Sequence, residues 1–171
     1  MNEPPSGFRP GQHREILDDA IHDPYQARLK LSSPTVCGDC GALYADGRWQ
    51  WAQPVPPGAA TATCPACLRI RDGQPAGYVS IDAALAGPHR DAIVAQVRNL
   101  EEREKREHPL QRIMAIEPDD TSGAPAGALR ITTTDPHLAR GIGEALEHSL
   151  KAHADYAFAK GEHLLRVELK P

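Results

Sequence analysis

The hydrophobic pattern is clearest near the C-terminus, where Leu138, Ile142, Leu146 and Leu150 recur every four residues. That spacing lays a single apolar stripe along a helix. Asp135-Pro136 supplies an N-cap and a first-turn proline, so the predicted helix runs from there to about His153. Two β-rich runs precede it, residues 112–117 (RIMAIE) and 129–134 (LRITTT). Two alternating runs follow, residues 156–158 and 165–169, around Lys160-Gly161-Glu162. The order β-β-α-β-β predicts a small antiparallel sheet covered by one helix, an α+β unit over residues 109–171.

Upstream, Pro88 opens a second helical stripe of Ile93, Val97 and Leu100. It gives way to EEREKRE at residues 101–107, where Glu101/Lys105 and Glu102/Arg106 are i, i+4 pairs of favourable orientation. His108-Pro109 ends the pattern. Residues 79–108 therefore read as a connecting helix whose charged end stands in solvent. Further upstream periodicity is weaker. Residues 1–12 have none and predict a disordered tail, while Ile16, Leu17, Ala20 and Ile21 give an extended or helical lead-in over residues 13–33.

Residues 34–78 are organised by cysteine. Cys37-Gly-Asp-Cys40 and Cys64-Pro-Ala-Cys67 are separated by 23 residues. Two sulfurs two residues apart can turn inward on a tight knuckle and occupy two corners of a tetrahedron; a second knuckle supplies the other two. Between them Ala42-Leu-Tyr44, a turn at Asp46-Gly47 and Arg48-Trp-Gln-Trp51 predict a hairpin, followed by a Pro/Ala/Gly/Thr loop at residues 53–63. The layout is a zinc ribbon with Cys37, Cys40, Cys64 and Cys67 as ligands of one structural Zn²⁺, favoured over redox pairs or disulfides. Four thiolates leave no open position for a metal-bound water, so the site points to structure and not catalysis. They also leave a formal charge of −2, and Arg48, Arg69 and Arg71 only balance Asp39, Asp46 and Asp72 nearby.

Composition explains why a staple is needed. Leu, Ile, Val and Phe supply only 32 of 171 residues, against 25 alanines and 16 prolines. Small folded pieces fit this better than one generous core. The net charge of −4 argues against a general nucleic-acid coat, which would be basic. The proline-rich start MNEPPSGFRPGQ has no apolar stretch, and no long apolar run occurs elsewhere, so a cytoplasmic protein without membrane contact is expected.

Trp49 and Trp51 share a face if both lie on a strand, with Arg48 beside them. Such a surface could stack bases or grip a partner loop, or the rings could roof a small core. Thr132-Thr-Thr-Asp135 before a helix could offer hydroxyls and free N–H groups to a phosphate, but a strand end and N-cap need the same residues. Gly141 and Gly143 inside the last helix imply close approach by another element. No P-loop, dinucleotide fingerprint or nucleophile elbow is present, so no enzyme activity is expected.

HDPYQARLKLSSPTVCGDCGALYADGRWQW, CPACLRI, PAGYVSI, RNLEEREKREHPLQRIMAI and TTTDPHLARGIGEALEHSL together resemble an uncharacterised bacterial family of zinc-ribbon proteins. That resemblance implies an architecture more than an activity. A fainter similarity joins the CxxC pairs to the adaptor family for export of the large ribosomal subunit, which implies a ribosome or structured-RNA role. The chain departs from it in having two CxxC pairs and in placing Asp155-Tyr156-Ala-Phe158 after its helix. The expectation is a non-enzymatic zinc-ribbon module that contacts structured RNA or the ribosome through Arg48, Trp49, Trp51 and Arg69. A protein–protein adaptor is the alternative, and an enzyme using the region Thr134 to His137 the third.

Overall fold

A computed structural model of the chain describes residues 23–159 and 162–171; the expected tail and the Ile16 to Ile21 stripe lie outside the described residues. The fold is mixed α+β with two sheets. The first begins after a single helical turn, α1 (Pro24–Ala27), which Asp23 caps by accepting from the Tyr25 N–H. Strands β1 (Thr35–Cys37), β2 (Leu43–Ala45) and β3 (Arg48–Gln50) form an antiparallel meander. The β2–β3 turn falls at Asp46-Gly47, where both residues take positive φ as such a turn requires. Strand β4 (Ala60–Ala62) then pairs with β1 in parallel, giving the order β3-β2-β1-β4. Helix α2 (Pro65–Asp72) follows at once.

The second sheet departs from the sequence expectation. It has five strands, ordered β6-β7-β5-β9-β8: β6 (Ile113–Pro118), β7 (Leu129–Thr133), β5 (Gly77–Ile81), β9 (Leu164–Lys170) and β8 (His153–Ala159). The unanticipated strand is β5, which lies at the centre, antiparallel to β7 and parallel to β9. The sheet is therefore mixed, not antiparallel, and begins within the segment assigned to the cysteine unit. The physical reason is the alternation of GYVSI: Gly77, Val79 and Ile81 are buried while Tyr78 and Ser80 are not.

The connecting helix is also corrected. Helix α3 (Ala83–Lys105) starts five residues before Pro88, with Asp82 as its cap, and carries the proline within its length. Its Leu85, Ile93, Val97 and Leu100 join Val79, Ile131, Val167, Leu138, Ile142 and Leu146 in one core. The sheet is thus covered by two helices, α3 and α4 (Pro136–Leu150), which also bond where Gln96 donates to the Ala145 carbonyl. Even the charged end of α3 is not wholly in solvent. Glu101 is buried, accepting the Ile113 N–H at 2.7 Å and pairing with Arg98 at 3.0 Å, so it fixes the start of β6.

Gly143 explains itself in this packing: a methyl there would meet Val167 Cγ1 at 2.7 Å and the Tyr156 ring at 3.1 Å. The close approach is to the sheet. Among the described residues no helix is long and apolar enough to cross a membrane.

Candidate metal centre

The cysteines are positioned by backbone geometry from two directions. Cys37 ends β1, and a tight turn follows in which the Gly41 N–H donates to the Cys37 carbonyl and the Cys37 N–H to the Ala42 carbonyl. Gly41 takes a φ of +80°, the left-handed conformation that glycine supplies without strain. The turn brings Cys40 back beside Cys37. The parallel pairing of β1 with β4 sets Cys37 opposite Ala62, two residues ahead of Cys64. Cys64 is the N-cap of α2, Pro65 is its first residue, and Cys67 lies in its first turn. The second knuckle is therefore a helix start, whose unpaired N–H groups favour negative sulfur. Cys64 N–H donates to Cys37 Sγ at 3.2 Å and Cys67 N–H to Cys64 Sγ at 3.4 Å.

All four sulfurs lie within 4.8 Å of one another, with Cys40 and Cys64 at 3.8 Å. A tetrahedral ion with bonds of about 2.3 Å to sulfur requires sulfur separations of about 3.8 Å. None of the four is in a disulfide, and two are buried and two half-buried. The donor set fits a metal ion. The Cys40 thiol is drawn down to about 4, first by the hydrogen bond it shares with Cys64, against the opposing effect of burial. Cys64 is pushed up by the same bond and by burial, and Cys67 is pushed up by burial.

A fifth residue completes the site. Arg112, from the segment leading into β6, donates through one terminal nitrogen to Cys64 and Cys67 at 3.3 Å each and to Cys40 at 3.6 Å. Burial opposes its charge, but the Cys67 hydrogen bond and the sulfur charges strengthen it. Its Nε donates to the Pro109 carbonyl, its N–H to Thr134 Oγ1, and its carbonyl accepts from Thr134 N–H. The guanidinium places positive charge against a donor set that would carry −2 around a divalent ion. It also ties the cysteine sheet to the five-stranded sheet. Nothing in the sequence around Gln111-Arg112-Ile113 signals this role; the contact crosses 45 residues or more of chain.

The expected contact surface is only partly a surface. Trp49 is 8% exposed and packs in the small core with Cys37, Ala42, Cys64 and Ala66, its Nε1 donating to Gln26. Arg69 is 3% exposed, ion-paired to Asp23 at 2.8 Å, with its guanidinium 4.4 Å from the Tyr25 ring centre. The Trp49 ring takes the core alternative because a sheet of three-residue strands has little apolar volume and buries its large side chain. Arg69, on α2, is the correction, held under Tyr25 by its pair with Asp23. Arg48 and Trp51 are exposed, and Trp51 Nε1 donates to the Lys105 carbonyl at the end of α3.

In the region Thr134 to His137, Asp135 caps α4 by accepting the His137 N–H and also meets His137 Nδ1 at 3.2 Å. The Thr133 and Thr134 hydroxyls donate to the Asp135 and Leu110 carbonyls, respectively. No family model matches the chain, nor does any curated protein or solved structure.

Proposed function

We propose that the protein is a non-enzymatic, cytoplasmic zinc-ribbon module that contacts structured RNA, with the ribosome as the setting. Four thiolates in a closed tetrahedral set are a common structural zinc site. The observation that carries the RNA reading is the second sheet, whose helices lie on one face only. The other face presents Tyr78, Ser80 and Arg166 across β5 and β9, with Arg166 over the Tyr78 ring at 5.7 Å. Arg130 on β7 stands beside Ser80 but is ion-paired to Glu117 at 2.9 Å, and Glu168 lies on the same face. An aromatic ring with a guanidinium over it on an open sheet face suits unpaired bases and phosphates. This shifts the contact surface away from the cysteine sheet, where Trp49 and Arg69 are occupied. A protein–protein adaptor is the second reading, supported by Trp51, Val55 and Ile70, which are large apolar side chains left exposed on the cysteine-bearing half.

Two measurements test the proposal. Metal analysis of the purified protein gives one zinc per chain, lost on Cys→Ser replacement. Sedimentation of cell extract places the protein in ribosomal fractions at low salt. Absence from those fractions across growth states, with a protein partner recovered instead, would favour the adaptor.

A further inference from the structure

We propose that the cleft between α1 and the open sheet face is a nucleotide seat, which takes one unpaired nucleotide of an RNA strand. Its phosphate lies between Arg28 and Arg166, and its base lies against Tyr78. The proposal rests on the RNA reading above and deepens it.

The cleft encloses about 560 Å³, within the range of ligand sites. Its chemistry converges from four separate stretches of chain: Tyr25 and Arg28 at α1, Arg69 on α2, Tyr78 on β5 and Arg166 on β9. Arg69 is built in. It is pinned by Asp23 and by the Gln74 carbonyl, it underlies the Tyr25 ring, and its buried Nε has no hydrogen-bond partner among the described residues. That anchoring holds α1 against α2 and fixes one wall.

Arg28 and Arg166 differ from Arg69. Both are exposed, each guanidinium lies 5.7 Å from a tyrosine ring centre, and neither has an ion pair among the described residues. Among the described residues Glu162 is the one carboxylate lining the cleft; Asp23 is neutralised by Arg69, and Asp72 accepts from the Tyr25 hydroxyl. Among those residues a chain of net charge −4 thus leaves two guanidinium groups without an ion pair in one concavity. Guanidinium forks match phosphate oxygens, and a tyrosine face beside them stacks a base. A phosphorylated protein side chain would use the arginines and leave Tyr78 without a planar partner.

The test uses the full chain with its metal, a fluorescein-labelled short single-stranded RNA read by anisotropy, and AMP read by calorimetry. Arg28→Ala with Arg166→Ala weakens RNA binding by about tenfold to a hundredfold and makes the salt dependence shallower. Tyr78→Ala weakens it further while Tyr78→Phe restores it, and Arg90→Ala, on the helix side, has no effect. Wild-type RNA binding that is unchanged in the double variant overturns the seat and leaves the RNA reading standing. AMP binding that depends on both arginines, with no RNA bound, supports the nucleotide chemistry and overturns the strand as its source. Failure to bind either probe overturns both.

Discussion

The two sheets of this protein show different ways to hold a structure together. The five-stranded sheet is closed by an aliphatic core in which Ile81, Ile93, Leu129, Ile131, Leu138, Ile142 and Leu146 are almost wholly buried. The four-stranded sheet has strands of three residues, and its buried cluster is Cys37, Ala42, Trp49, Cys64 and Ala66. Two of those five are ligand-grade sulfurs and two are alanines. Hydrophobic burial scales with apolar area, so the first region is self-sufficient and the second is not. What the second lacks in volume it recovers through polar fasteners: the sulfur cluster, the Arg69–Asp23 pair and the Arg112 cap. The lesson is that a chain short of large aliphatics can gather most of them around one sheet and hold the other largely by polar contacts.

The sharpest way to break the contrast is Cys64→Ser, or a chelator. On the proposed zinc reading, a structural zinc would contribute an apparent binding free energy of about 10–16 kcal/mol, so its loss is expected to strip amide protection in hydrogen exchange from the cysteine sheet. The five-stranded sheet keeps its protection. Uniform loss across both would show that the aliphatic core does not stand alone.

Leu146→Ala is the converse. Truncating this fully buried residue destabilises the five-stranded sheet by about 2–5 kcal/mol in denaturant titration. Metal content should remain at the wild-type level, and its loss would mean that the metal site depends on the sheet for its shape.

Arg112→Gln probes the joint between the regions. Removing a group that hydrogen-bonds the ligands weakens metal retention by about tenfold to a hundredfold in competition with a chelator. Sheet stability changes little, because the backbone bonds to Thr134 do not need the guanidinium.

The smallest effects separate two glycines of α4. Gly143→Ala forces a methyl against Val167 and Tyr156 and destabilises by about 1–3 kcal/mol. Gly141→Ala meets nothing nearer than Leu100 at 3.8 Å, and stabilises the helix by up to about 1 kcal/mol. Equal melting shifts for the two would contradict the packing described.

The four-cysteine cluster was legible because two CxxC pairs state their chemistry locally: residue type and a two-residue spacing suffice to bring sulfurs together in pairs. Helix α4 was legible for the same kind of reason, since a fourfold apolar repeat and Asp135-Pro136 are local signals. The hairpin of β2 and β3 followed from Asp46-Gly47. Strand β5 alternates visibly in sequence, but its sheet partners β7 and β9 lie far along the chain, so local pattern does not place it at the sheet's centre. The stripe of α3 is local too, but that it covers the sheet is not. The position of its start depends on Asp82 as a cap, and Pro88 is a weaker boundary than the packing of Leu85 and Ala86 against the core.

By itself the sequence determined which residues could bind metal, where two helices run, and that apolar volume was too scarce for two ordinary cores. These are properties of short windows, in which backbone preference and side-chain period act. Only the tertiary structure decided that β5 sits at the centre of the larger sheet, that α3 is a covering helix, that Trp49 and Arg69 are buried, and that Arg112 reaches the sulfurs. Each of those depends on which distant surfaces meet, and a contact between groups separated along the chain leaves no trace in local composition. The cleft lined by Arg28, Arg166 and Tyr78 belongs with them: three unremarkable stretches of sequence became one site only when the fold brought them together.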